Sequence, residues 1–302
     1  MQNTSHLLMI QPVNFGFNAE TAVNNSFQKN TGGDIQLNAL KEFNDFVEVL
    51  RKNKVDVTVV EDTVEPSTPD SIFPNNWISF HDGGLVFLYP MFAANRRNER
   101  KPHVLKAIQN KFTVSDIIDL SKYEDENIFL EGTGSMVLDR ENKIVYACLS
   151  PRTEKKLVDE FCRITGYTPV TFRSTDSSGV DIYHTNVMMC MAGNYVVICL
   201  DSILSEDERK NAIASFERTN KEIIPISQDQ LNSFAGNMLQ LKDVNGELLL
   251  VMSTQAYQAL TAEQIDTLQK YNRIIHSSLL SIETCGGGSA RCMMAEVFLK
   301  RK

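Results

Sequence analysis

One recurrence constrains the fold more than any other feature of this chain. Short apolar runs return along its whole length, mostly in pairs separated by a tight polar turn. "NWISFH" 76–81 and "GLVFLYP" 84–90 flank "HDGG", and "GSMVLDR" 134–140 and "KIVYACL" 143–149 flank "DRENK". "NVMMCMAG" 186–193 and "YVVICL" 195–200 flank "AGN", and "MLQLKD" 238–243 and "LLLVMS" 248–253 flank "KDVNGE". Such runs, bounded by Gly, Asn and Asp, read as strands, and each pair reads as a hairpin. Unpaired strand-like runs are "HLLMIQP" 6–12, "VDVTVVE" 55–61 and "MMAEVFL" 293–299.

Helical patterns alternate with the hairpins. Residues 39–53 carry apolar side chains at helical spacing, with acids early and bases late. Residues 153–166 open at Thr153 and stop at Gly166, and 205–220 and 261–271 each open at Ser or Thr with acids in the first turn. The order hairpin, helix, strand fits five units of roughly 60 residues each. The expected fold class is α/β: repeated ββαβ units in one domain over 1–302. A doubly wound sheet fits less well because hairpins are antiparallel, and neither GxGxxG nor GxxxxGK[ST] occurs. "VEPSTPDS" 64–71 reads as a turn-rich loop rather than a domain boundary.

The charge balance narrows the function. Net charge is −8, and the basic cluster "NRRNERK" 95–101 is short, so no nucleic-acid partner is expected. No apolar run approaches the roughly 18 residues of a membrane span. The first residues lack a basic segment followed by an apolar one, so a cytoplasmic location is expected. The six cysteines show no CxxC or zinc spacing. Free thiols, no metal and no cofactor are expected.

Four stretches hold polar residues that a core does not need: Asn75 and Asn76 in "FPNNW", Glu131 in "FLEGTGS", His184 and Asn186 in "YHTNV", and Cys292 after "GGGSAR". Singly, each has an ordinary reading: a solvated loop acid, a structural histidine, a buried thiol, a tight turn. Together they place Cys, His and Glu at the starts of apolar strands, where a rigid scaffold presents reactive groups. Cys, His and carboxylate form a known nucleophile set.

With these motifs the chain resembles the guanidino-group-modifying enzyme superfamily, which includes arginine deiminases, dimethylarginine hydrolases and amidinotransferases. It looks most like the amidinotransferase-like branch of citrulline-utilising hydrolases. The likeness runs from "LLMIQPVNFGFNAETA" to Cys292. It implies a pentein fold, five ββαβ units in a pseudo-fivefold α/β propeller. It also implies that Cys292 is the nucleophile, His184 the general acid/base and Glu131 the carboxylate that meets the substrate nitrogens. The thiolate would attack the planar guanidino or ureido carbon. His184 would protonate the departing nitrogen and then activate water.

One departure bears on the substrate. Deiminases of the superfamily hold the guanidinium with two aspartates, where this chain has Asn76 (with Asn75 as the near alternative) and Asn186. A guanidinium has only donors and calls for anionic partners, whereas a ureido group offers a carbonyl that an amide can meet. The expected reaction is therefore hydrolysis of a small-molecule amino acid, citrulline, to ornithine, CO2 and ammonia. The alternatives are an arginine deiminase, an arginine dihydrolase, an amidinotransferase, or a non-catalytic pentein binding protein. Arg96, Arg97 and Arg100 are candidates for the substrate carboxylate, against a solvated basic loop. Asn18 and Asn237 either line the pocket or serve turns, His81 reads as a loop residue, and Cys285 as a structural thiol. A homo-oligomer is left open.

Overall fold

The computed structural model describes residues 1–30 and 35–302. Its strands form five three-stranded sheets, each open at two edges. In four of them a hairpin supplies two antiparallel strands. A helical crossover then returns a third strand, parallel to the second. The hairpins are Ile78–His81 with Leu85–Leu88, Val137–Asp139 with Ile144–Cys148, Met189–Met191 with Tyr195–Ile198, and Leu239–Lys242 with Leu248–Ser253, as the turns predict. The remaining sheet is closed by the chain's two ends. His6–Gln11 pairs in parallel with Asp56–Glu61 and takes its antiparallel partner from Ala295–Glu296. The strand predicted over 293–299 is thus short, because Ala290–Met293 coils into a 3-10 turn first.

The middle strands are apolar on both faces because both faces are buried. Leu7 and Met9 pack with Phe43, Val47 and Leu50 of helix Ile35–Lys52. Leu8 and Ile10 of the same strand face the other way, toward Ile78, Phe80 and Val86 of the next sheet. Strand Ile144–Cys148 divides likewise: Val145 and Ala147 join Leu157 and Phe161, while Tyr146 and Cys148 join Val187 and Val196. Adjacent sheets therefore share cores, and burying each large side chain contributes about 1.5–3 kcal/mol.

The return strands Asp116–Asp119, Thr168–Phe172, Glu222–Pro225 and Arg273–Ser277 were not among the expected strands. They are edge strands with exposed positions and, in two cases, a proline, so their apolar runs are short. Helix Pro102–Lys111, also not expected, starts on a proline. The expected caps Ser205 and Thr261 accept from the backbone N–H groups of Glu208 and Gln264. Thr153 does not cap: Glu154 holds that position without a side-chain bond, and helix Lys155–Thr165 ends on left-handed Gly166. His81 is a buried strand residue, hydrogen-bonded to Ser79 at 2.7 Å. Segment 95–101 is no solvated loop, since Arg96, Glu99 and Lys101 are buried. Among the described residues no helix is long and apolar enough to cross a membrane.

Candidate active site

Short helical turns lead into the first strand of most sheets, and these turns carry the candidate residues. Asn76 ends Pro74–Asn76, Glu131 caps Gly132–Ser135, His184 caps Thr185–Met188, and Cys292 lies in Ala290–Met293. The strand that follows each turn is buried and fixed, so each turn presents its side chain from a rigid base. Asn76, His184 and Cys292 line one narrow cavity, together with Asp70, Arg96, Arg152, Tyr183 and Gly286 to Gly288. Tight approach brings the turns together. A Cβ at Gly134 would run into Asn76 Nδ2 and come within 2.8 Å of His184 Nδ1.

Glu131 is fully buried and matched on every side. Its Oε1 accepts from the Phe92 N–H at 3.0 Å, and its Oε2 meets His184 Nε2 at 2.8 Å, Arg152 Nη1 at 3.6 Å and Arg96 Nη1 at 3.9 Å. Burial alone would push its carboxyl up. Arg152, the His184 hydrogen bond and Arg96 overcome burial and hold it near about 2. Burial pushes the buried His184 down to about 4, against the opposing pull of Glu131. At neutral pH the imidazole is therefore uncharged. An ionised carboxylate only accepts, so the proton sits on Nε2 and Nδ1 keeps a lone pair.

Two asparagines have orientations that their partners fix. Arg96 Nη1 donates to Asn76 Oδ1 at 2.9 Å. A guanidinium has no acceptor, so the atom facing it must be oxygen. Asn76 Nδ2 then gives one hydrogen to Asn75 Oδ1 at 3.0 Å and has another to offer. Asn75 itself is buried but does not line the cavity. Asn237 Oδ1 accepts from the Arg291 N–H at 3.0 Å, which directs its Nδ2 toward Cys292 Sγ at 3.3 Å. Asn186 Nδ2 lies 3.5 Å from the same sulfur, and Asn186 Oδ1 is buried without a partner.

The arginines separate. Arg96 is saturated: Nε and Nη2 fork onto Glu99 at 2.8 and 3.0 Å, Nη1 serves Asn76, and Nη2 also reaches the Phe73 carbonyl. Arg97 is not brought to the cavity; its Nε donates to the Met91 carbonyl and its guanidinium lies near Phe129. Arg100 is held by Glu124 and the Tyr89 carbonyl. Arg152, which the sequence reading missed, lines the cavity. It is anchored by Asn24 and the Thr21 carbonyl and lies 4.9 Å from the Tyr183 ring. Asp70, also missed, accepts at Oδ2 from Asn18 at 2.8 Å and Thr21 at 3.1 Å, while its buried Oδ1 has no partner. Burial raises the Asp70 carboxyl against the pull of Arg96. Asn237 had a legible signal. Asn76, Glu131, His184, Asn237 and Cys292 recur about every 54 residues.

Residues 11–299 match the family described as N,N dimethylarginine dimethylhydrolase, eukaryotic. The chain belongs to that family. It is therefore a member of a guanidino-modifying enzyme family of the pentein superfamily. No curated protein sequence matches this dimethylhydrolase-family chain. Its fold is similar to the N-terminal domain of ArgZ, a cyanobacterial arginine dihydrolase, bound to substrate: TM-score 0.75, 17% identity, 98% of each chain covered. AgrE with ornithine and NAD+ gives 0.75 at 18% identity, covering 98% of this chain and 40% of that one. A dimethylarginine dimethylaminohydrolase adduct with S-methyl-L-thiocitrulline gives 0.66 at 15% identity, covering 97% and 99%. The chain thus spans 40% of full-length ArgZ, as it does of AgrE.

Proposed function

We propose that the chain is a single catalytic domain, its five sheets arranged as a pseudo-fivefold propeller, that hydrolyses the ureido group of citrulline in the cytoplasm. The observation that carries the substrate reading is the orientation of Asn76. With its oxygen held by Arg96, it offers the cavity a donor, which suits a ureido oxygen and not a guanidinium nitrogen. Asn186 Oδ1, buried without a partner, would accept from a ureido N–H.

In this reading Cys292 Sγ attacks the ureido carbon, and Asn76 Nδ2 donates to the oxygen as charge grows there. The bond to the alkyl nitrogen breaks. His184, having taken the Cys292 thiol proton at Nδ1, gives it to that nitrogen, and ornithine leaves. The carbamoyl group remains on sulfur. His184 then takes a proton from water, hydroxide adds to the carbonyl, the C–S bond breaks to return the Cys292 thiolate, and the freed carbamate decomposes to CO2 and ammonia. Glu131 orients His184 and stabilises it whenever it is protonated. Arg152 Nη1 and Asp70 Oδ1 suit the α-carboxylate and α-ammonium of the amino acid. This shifts the carboxylate role from Arg96 and Arg97 to Arg152, and gives Arg96 the task of orienting Asn76.

An arginine dihydrolase is the second reading. It is favoured by Asp70 and Glu131, anions that a guanidinium could use, and by the likeness to ArgZ. The test is to incubate purified protein separately with citrulline and arginine and assay ornithine and ammonia. Ornithine from citrulline, with an adduct of about +43 Da on Cys292, supports the ureido reading; an adduct of about +42 Da signals an amidino group. Turnover of arginine with none of citrulline would sink it.

A further inference from the structure

Four turns that precede first strands supply Asn76, Glu131, His184 and Cys292. The corresponding turn of the remaining sheet, residues 234–237 before Leu239–Lys242, supplies Asn237. It is fully buried. We propose that Asn237 is a catalytic residue: its amide donates to Cys292 Sγ, aiming the sulfur and stabilising the thiolate from which the reaction starts. This inference rests on Cys292 being the nucleophile.

The geometry leaves Asn237 little freedom. Phe234 takes a left-handed backbone, φ 61°, costly for a bulky residue and held by its surroundings. The Asn237 N–H closes this turn onto the Phe234 carbonyl at 2.8 Å. Gly236 lets the turn press on the histidine-bearing segment. Any Cβ there would run into the Val187 carbonyl and lie 2.7 Å from the Met188 carbonyl carbon. The side chain then bridges two units. Its Nδ2 donates to the Asn186 carbonyl at 2.9 Å and faces Cys292 Sγ at 3.3 Å, and its Oδ1 accepts from the Arg291 N–H at 3.0 Å. The Arg291 contact fixes which end faces sulfur, so the donor is aimed before substrate arrives. A preset dipole of this kind favours negative charge on sulfur without reorganisation, and it adds no cation that would make the thiolate a poorer nucleophile toward a neutral carbon.

The decisive variant is Asn237→Asp. It keeps the shape and the acceptor for the Arg291 N–H but replaces the donor beside sulfur with a carboxyl oxygen. Cys292 alkylation by iodoacetamide, followed on the Cys292 peptide by mass spectrometry across pH, reads the thiolate without any substrate. Asn237→Asp should move the alkylation midpoint up by about one to two pH units. With citrulline it should lower kcat about tenfold or more, with KM changed less than threefold. Asn237→Ala should shift the midpoint in the same direction; its melting temperature separates lost packing from lost donation. An unchanged alkylation profile in a folded Asn237→Asp protein overturns the proposal, as does a change confined to KM. If Cys292 in the wild type shows no thiolate reactivity and no turnover, the nucleophile reading itself falls, and this proposal with it.

Discussion

Two groups of side chains, each with some members lining the cavity, are wired by different physics. Asp70, Arg96, Glu99, Glu131 and Arg152 form a mesh of buried ions. Cys292 Sγ is met by amides, from Asn186 and Asn237, and the uncharged His184 lines the same cavity. Buried ions are costly unless each is matched, and here each cation touches an anion. In the proposed reading the mesh is a rigid frame for the charged ends of an amino acid. The two amides face the proposed nucleophile with neutral dipoles, which would favour charge that develops in the proposed reaction and would not hold a cation in the ground state. Glu131 and His184, joined at 2.8 Å, connect the two groups.

Removing the proposed nucleophile should have the largest effect on this contrast. Cys292→Ala is expected to lower ornithine release from citrulline by more than about 10³-fold with an unchanged fold by circular dichroism. Activity that survives in this variant would sink the covalent route and favour a non-catalytic role for the thiol. Next comes the link between the groups. Glu131→Gln keeps volume but strips the charge that Arg152, Arg96 and His184 share. It is expected to lower kcat about 100-fold and to destabilise the fold by about 3 kcal/mol in urea unfolding, because two buried cations lose a partner. If stability held while activity fell, the frame would be less dependent on Glu131 than its contacts imply.

An ionic contact at the recognition end should register as binding rather than chemistry. Asp70→Asn is expected to raise KM for citrulline about tenfold, with kcat within about threefold. The same substitution should not affect an analogue that lacks the α-amine. A drop in kcat with KM unchanged would move Asp70 from the frame to the reacting end.

The sequence discloses these groups unequally. Hairpins were readable because their inner strands are apolar on both faces and their turns carry Gly, Asn and Asp. Return strands such as Asp116–Asp119 and Glu222–Pro225 were not, because edge positions are exposed and accept acids and proline. The partner of His6–Gln11 lies at the other end of the chain, beyond any local pattern. Within the site, Cys292, His184 and Glu131 sit in short motifs at strand starts. Asp70 and Arg152 lie in loops, where polar residues are ordinary, and only the fold shows them buried. Arg96 and Arg97 are neighbours in sequence, yet a 3-10 turn sends one inward onto Glu99 and the other toward Phe129. Asn237 needed the repeat period, which becomes visible only once the other turns are aligned.

Smallest is the effect expected from a carboxyl that lies outside the ionic frame. Glu283 is buried like Glu131, but among the described residues it has no ion-pair partner; Ser289 Oγ donates to it at 2.5 Å. Burial pushes its carboxyl up to about 7. The two carboxyls must therefore give opposite pH slopes. Glu131, held near about 2, contributes stability that is complete above about 4.5 and is lost as pH falls toward 2. His184, pushed down to about 4, adds to acid sensitivity between about 6.5 and 4, because the unfolded chain binds that proton more readily. Glu283 favours the folded state while protonated, and that contribution fades as pH rises from about 4.5 through 7. Glu283→Gln removes the ionisation and keeps a hydrogen-bonding side chain, so it should raise the melting temperature by a few degrees at pH 8 (on the order of 1–3 kcal/mol) and by less at pH 5. Equal shifts at the two pH values would mean that the folded and unfolded chains hold the Glu283 proton equally over this range, so that burial does not raise its carboxyl.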